Sequence, residues 1–220
     1  MAHDRLIDLS WPLSPITPVY PGDPVFQVKD HVVAASAAGF NLKTVHTGMH
    51  IGTHADAPRH YYRDGIGAAA VALESMVGRA VLLRVEPQNG IVRTADLEKA
   101  WKGLCEKQPR ILISTGFSSH FGQPDYFTDH PGFEPSLSAF LKARGAVLFG
   151  IDLPSVKYGT VDNAGAHADL LAAGIVIVEN LAHLESLPPA FSFAAAMLPI
   201  EGCDGSPVRA YAIVTTPDGF

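Results

Sequence analysis

Within His46–His60, HTGMHIGTHADAPRH, lie four of the chain's ten histidines and one carboxylate, Asp56. Neutral imidazoles and carboxylates are the side chains that hold a divalent ion, with donor atoms ~2.0–2.2 Å from it. His50 and His54 are four residues apart, a spacing that one helical turn would stack. The residues between them are Ile51-Gly52-Thr53 with no glutamate, and Pro58 follows, so the H-E-x-x-H helix motif is not matched. In a flat strand the pair would sit ~13 Å apart, too far to share an ion. Gly52 therefore matters, because glycine permits the bend that would bring the two rings together. Asp56, two beyond His54, would share its face in an extended chain. Any one of these histidines alone reads as a polar loop residue, but the unit H-x-G-T-H-x-D-x-P-x-H reads as a metal site.

Other residues join this set less firmly. Glu179 ends the apolar run IVIV, and the carboxyl end of a buried strand is where α/β sheets place functional groups. His167 taken by itself reads as a helix-surface histidine. Asp152, which ends VLFGI, is either a turn former or a partner that orients a ligand, and the second is expected. A serine hydrolase would need the nucleophile elbow G-x-S-x-G; the nearest string, GFSSH, lacks the closing glycine.

The elements that must position these groups are mostly strands. Leu6–Leu9 reads as a short strand, followed by the proline-rich WPLSPITPVYPGDP, which cannot be helix or central strand. Phe26–Val33 and Leu42–His46 look extended. GRAVLLRVE, RILIS, AVLFGID and IVIVEN are apolar runs suited to buried strands, and VRAYAIVTT is β-branched and alternating. Thr94 is expected to cap a helix that places Leu97, Ala100, Trp101 and Leu104 on one face. Leu137, Phe140 and Leu141 mark a second helix that Gly145 stops, and AHADLLAAG a third. The reading is one α/β domain over residues 1–220, with more strand than helix.

Composition narrows the class. Of the 220 residues 47% are hydrophobic and 17% charged, which suits a packed core. A formal charge of −6 with no basic run argues against nucleic acid as partner. The opening MAHDRLIDLS lacks a signal peptide's pattern, and no apolar stretch approaches the ~18–20 residues of a membrane span. Two cysteines, Cys105 and Cys203, make no disulfide framework, and a cytoplasmic protein is expected.

HIGTHADAPRH resembles the signature of the metal-dependent cyclase/arylformamidase family. DLSWPLSPITPVYPGDP, STGFSSHFGQPDYF, GIDLPSV, IVIVENL and DGSPVRA are similar to further segments of that family, in the same order along nearly the whole chain. The resemblance implies a swivelling β/β/α fold with a mixed sheet or flattened barrel and flanking helices, assembled as a homodimer or homotetramer. It makes His50, His54, Asp56, His167 and Glu179 metal ligands, with Asp56 bridging when two ions bind, and His60 the acid/base. Tyr20 stands where formamidases carry tryptophan, which implies a smaller, hydroxylated wall against an aromatic substrate. Ser114 stands where relatives have arginine, and Lys157 where an acidic residue is common.

The implied activity is hydrolysis of a C–N amide bond by metal-activated water, an arylformamidase reaction on a substrate of the N-formylkynurenine type. Ring opening of a lactam or lactone, as by an isatin hydrolase, uses the same groups and is the alternative; a metal-binding module without turnover is the remote one. Zn²⁺, as one or two ions, suits the ligand set, and mixed imidazole and carboxylate ligation also suits Mn²⁺. The expected partner is a small aromatic amide or lactam.

Overall fold

The computed structural model describes residues 3–32, 39–104, 107 and 109–216. Cys105, and Val33 at the end of the second expected strand, lie outside that set. The strands are β1 (His3–Asp8), β2 (Gln27–Val32), β3 (Leu42–His46), β4 (His54–Asp56), β5 (Val77–Arg84), β6 (Ile91–Val92), β7 (Arg110–Ser114), β8 (Gly132–Phe133), β9 (Leu148–Ile151), β10 (Val176–Glu179), β11 (Ala190–Ala194), β12 (Gly205–Pro207) and β13 (Tyr211–Thr216). The helices are α1 (Leu73–Met76), α2 (Thr94–Trp101), α3 (Leu137–Ala143) and α4 (Asn163–Ala172).

Nine strands form one mixed sheet in the order β1-β13-β11-β5-β7-β9-β10-β4-β12. The middle, β5-β7-β9-β10, is parallel, and the strands flanking it are antiparallel. The parallel strands read as unbroken apolar runs because both of their faces are covered. Val81, Leu83, Ile111, Ile113, Phe149, Ile151 and Ile177 pack on the helix side with Leu97, Phe140 and Leu170. Their neighbours Ala80, Leu82, Leu112, Leu148, Val176 and Val178 pack on the other side with Leu9 and Phe193. The mixed sheet with flanking helices is the architecture that the family resemblance implies, and it has the α/β character, richer in strand than helix, expected from the pattern. β2 and β3 form a separate two-stranded ribbon, as do β6 and β8.

Two local expectations are corrected. Thr94 does not cap α2: the cap position is Arg93, without a side-chain cap bond. The Thr94 N–H donates instead to the Glu134 carboxylate at 2.8 Å, so a distant acid supplies the acceptor that a capping hydroxyl would have given. The helix also stops at Trp101 rather than running through Leu104, since Gly103 turns the chain at φ +87° and Leu104 reaches the core from beyond it.

β4 is the strand that the sequence does not announce, and it sets the site. It pairs antiparallel with β10 so that His54 lies opposite Glu179 and Asp56 opposite Ile177. Residues directly opposite share a face, and alternation sends Ala55 to the other side, where it joins the second core cluster. His54, Asp56 and Glu179 therefore project together on the side covered by α4.

Phe149 is fully buried in the centre of this sheet, edge-on to Phe133 at 5.7 Å between ring centroids. Phe149→Ala should cost about 3–5 kcal/mol of stability. A chemical denaturation midpoint that barely moves would contradict the packing described here.

Candidate metal centre

Gly52 adopts φ +55°, and a Cβ there would meet Leu13 Cδ2 at 2.5 Å. The left-handed backbone favours glycine, and a side chain there would make Leu13 give way, so the bend anticipated from its position suits glycine. It brings the His50 and His54 rings to 5.3 Å between centroids, nearly perpendicular. His54 then enters β4, where its Nδ1–H donates to the Gly52 carbonyl at 2.9 Å and its Nε2 faces the carboxylates. His167, on α4, is oriented in the same way: Nδ1–H donates to the Asn163 carbonyl at 2.8 Å, leaving Nε2 inward. Backbone acceptors that fix a ring's tautomer in this manner are the usual support of a ligating histidine.

The inward atoms converge. His54 Nε2 lies 3.4 Å from both Asp56 Oδ1 and Glu179 Oε2. His167 Nε2 lies 3.3 Å from Glu179 Oε1 and 3.6 Å from Asp56 Oδ2. Donors at tetrahedral corners ~2.0–2.2 Å from an ion are about 3.3–3.6 Å apart. Each carboxylate thus turns one oxygen to His54 and the other to His167. Asp56 Oδ2 is buried with no hydrogen-bond partner among the described residues, the condition of an acceptor awaiting a cation. Among the described residues, potential ligand atoms fall into two groups that share Asp56, one with His50 and His60 and one with His54 and Glu179. The donor set fits a divalent metal.

Asp204 completes the cluster, and it carried no expected role. Its Oδ2 accepts from His50 Nε2 at 2.9 Å and from His60 Nδ1 at 3.0 Å. His50 Nδ1 meets Asp56 Oδ1 at 2.7 Å, and the His50 and His60 rings lie 3.9 Å apart. Asp204 belongs to the quoted segment DGSPVRA, but a lone aspartate before a short strand gives no local signal of partners more than 140 residues away.

The other expected residues are placed as follows. Tyr20 lines the same cavity of about 810 Å³, half-exposed, with its ring edge-on to Phe127 at 5.8 Å. Tyr61 stacks on His167 at 5.1 Å. Asp152 is buried but turned elsewhere: it accepts from the Thr115 N–H at 2.9 Å, the Thr115 hydroxyl at 2.8 Å and the Gly116 N–H at 2.8 Å, and bonds none of the clustered residues. It ties the end of β7 into a turn. His46 lies on the exposed β3, outside this cavity.

A mixed sheet with this convergent histidine–carboxylate cluster defines a family. Residues 7–158 match the model described as "Putative cyclase", and the chain belongs to that cyclase family. It is 32% identical over 207 residues to the kynurenine formamidase of Sphingopyxis alaskensis, covering 94% of this chain and 96% of that one. With the kynurenine formamidase of Geobacillus thermodenitrificans it shares 34% over 209 residues, 93% and 95% of the two chains. Among solved structures, isatin hydrolase A from Labrenzia aggregata bound to benzyl benzoate superposes with a TM-score of 0.86 at 25% identity, over 97% of this chain and 94% of that one.

The electrostatics yield a prediction. Burial alone would lower the His50 pKa, but Asp56 and Asp204 outweigh it and raise it to about 10. Burial likewise opposes protonation of His167, and Glu179 and Asp56 raise it to about 9. Both folded values exceed the ordinary 6.5. In metal-stripped protein their contribution to stability is therefore complete below about pH 6.5 and lost as pH rises through about 9 and 10. Melting temperatures of stripped protein should fall across that window. Ligating histidines must be neutral, so metal uptake at pH 7.5 should release protons. Calorimetry in buffers of different ionisation enthalpy would reveal this, and uptake without proton release would contradict it.

Proposed function

We infer that the protein is a metal-dependent hydrolase of a C–N amide bond other than a peptide bond, an arylformamidase acting on a substrate of the N-formylkynurenine type. The observation that carries this reading is the pair of donor groups that share Asp56, one with His54 and Glu179 and one with His50 and His60. His50, His54, Asp56, His167 and Glu179 would hold the metal. One or two ions would be held by these residues, since each carboxylate turns its two oxygens to different histidines. Mixed nitrogen and oxygen ligation suits Zn²⁺ and accommodates Mn²⁺. Similarity to two kynurenine formamidases over more than nine-tenths of the chain supports the formyl substrate.

A metal bound here supplies a Lewis acid that lowers the pKa of water to ≈ 7. The remaining work falls to the chain. Asp204 accepts the His60 Nδ1–H, so the lone pair of His60 is left on Nε2. As water adds to the carbonyl carbon, Nε2 takes the proton, then returns it to the nitrogen as the C–N bond breaks. The same atom acts as base and then as acid. Tyr20 and Phe127 would flank the aromatic ring of the substrate.

Ring opening of a lactam such as isatin is the second reading, favoured by the close superposition on isatin hydrolase A. The two are separated by assaying N-formyl arylamines and isatin-like lactams on one preparation of measured metal content. Formyl substrates should turn over faster, and chelation should abolish activity. His60→Ala should lower kcat by about 10²–10⁴-fold while the metal content is kept. His54→Ala and Asp56→Ala should lose metal and turnover together. A His60→Ala enzyme with full activity would remove the proton-transfer role, and lactam turnover alone would replace the formamidase reading with the second.

A further inference from the structure

Among the described residues, the cavity that holds the histidine–carboxylate cluster is lined by five carboxylates, Asp23, Asp56, Asp162, Glu179 and Asp204. Among its described lining residues Lys157 is the single lysine or arginine. Lys157 is 4% exposed, yet its ammonium makes no hydrogen bond and no ion pair with any described residue. The counter-charge that acts on it is Asp129, at a distance too great for an ion pair. The stem is buried while the unpartnered ammonium stays accessible from the cavity, where an anionic ligand would pair with it.

The backbone around Lys157 is fixed. Its carbonyl accepts the Phe133 N–H at 2.8 Å, and the preceding Val156 N–H donates to Glu179 Oε1 at 2.8 Å. Lys157 is thus anchored one residue from a contact with Glu179 of the histidine–carboxylate cluster. His130, close by on the cavity wall, adds no second cation: burial and then the Lys157 charge lower its pKa to about 4. Its Nδ1–H donates to the Pro131 carbonyl at 3.0 Å. Ser155, two residues before Lys157, brings a hydroxyl to the same wall.

We propose that Lys157 is the carboxylate-recognising residue of this cavity, so that the substrate is an aryl amide carrying an anionic substituent. This rests on the aryl-amide hydrolase reading and narrows its substrate class. One oxygen of the substrate carboxylate would accept from the Lys157 ammonium, while the amide reaches the metal cluster. A charge-assisted hydrogen bond of this kind discriminates by about 10- to 100-fold.

The test compares kcat/KM for formanilide with that for 2-, 3- and 4-formamidobenzoate, on the metal-loaded wild type, Lys157→Met and Lys157→Arg. Calorimetric dissociation constants for benzoate and benzamide are measured on the same proteins. At least one formamidobenzoate should exceed formanilide by about 10- to 100-fold in the wild type, chiefly through KM. Lys157→Met should bring that ratio close to one, and Lys157→Arg should keep most of it. A wild-type ratio near one with formanilide still hydrolysed overturns the proposal and leaves the hydrolase reading standing. So does a ratio that Lys157→Met does not change. If no formamide is hydrolysed but Lys157→Met abolishes the preference for benzoate over benzamide, the hydrolase reading falls and the carboxylate subsite stands. Loss of both signals removes both.

Discussion

The site depends on one pairing register. β4 meets β10 with His54 opposite Glu179 and Asp56 opposite Ile177. A slip of one residue would turn His54 and Asp56 to the far face and bring Ala55 into the cavity, because side chains alternate with a period of two. Neither edge of β4 is free to slip, since β12 holds its other side with Gly205 opposite Asp56. Gly205 is suited to that place: a Cβ there would lie 2.8 Å from the His50 ring. The same register thus places the ligands and leaves room for the ring of their neighbour.

Burial then gives the cluster its chemistry. Asp56 is fully buried and Glu179 nearly so, and burial opposes the ionised form of both. The surrounding histidines hold the Asp56 carboxyl far below its usual range in spite of that. Two anions this close are tolerated only when cations stand between them, whether imidazolium or metal. The sheet therefore stores a demand for positive charge at one point, and the fixed tautomers of His54 and His167 leave nitrogen lone pairs there to share a metal.

Much of this is legible in the sequence where the signal is local. The spacing of His50, Gly52, His54 and Asp56 carries the bend and the shared face, and the apolar runs of β5, β7, β9 and β10 carry the parallel centre of the sheet. What is hidden depends on partners far along the chain. β4 has three residues and becomes a strand because β10 and β12 pair with it. Asp152 ends a buried strand as Glu179 does, but the amides of Thr115 and Gly116 claim it, and no residue pattern distinguishes the two carboxylates. The capping of α2 by Glu134 and the contacts of Asp204 share that character.

Asp204 has a consequence for the order in which the molecule comes into being. Its carboxylate joins His50 and His60 across more than 140 residues, and Glu179 closes the cluster from a strand almost as late. A nascent chain that has displayed HIGTHADAPRH still has no centre, because Glu179 and Asp204 follow only after a long further stretch of sequence. Loop closure over such lengths comes late in folding. The cavity acquires its full set of histidines and carboxylates only when β10 and β12 dock on β4.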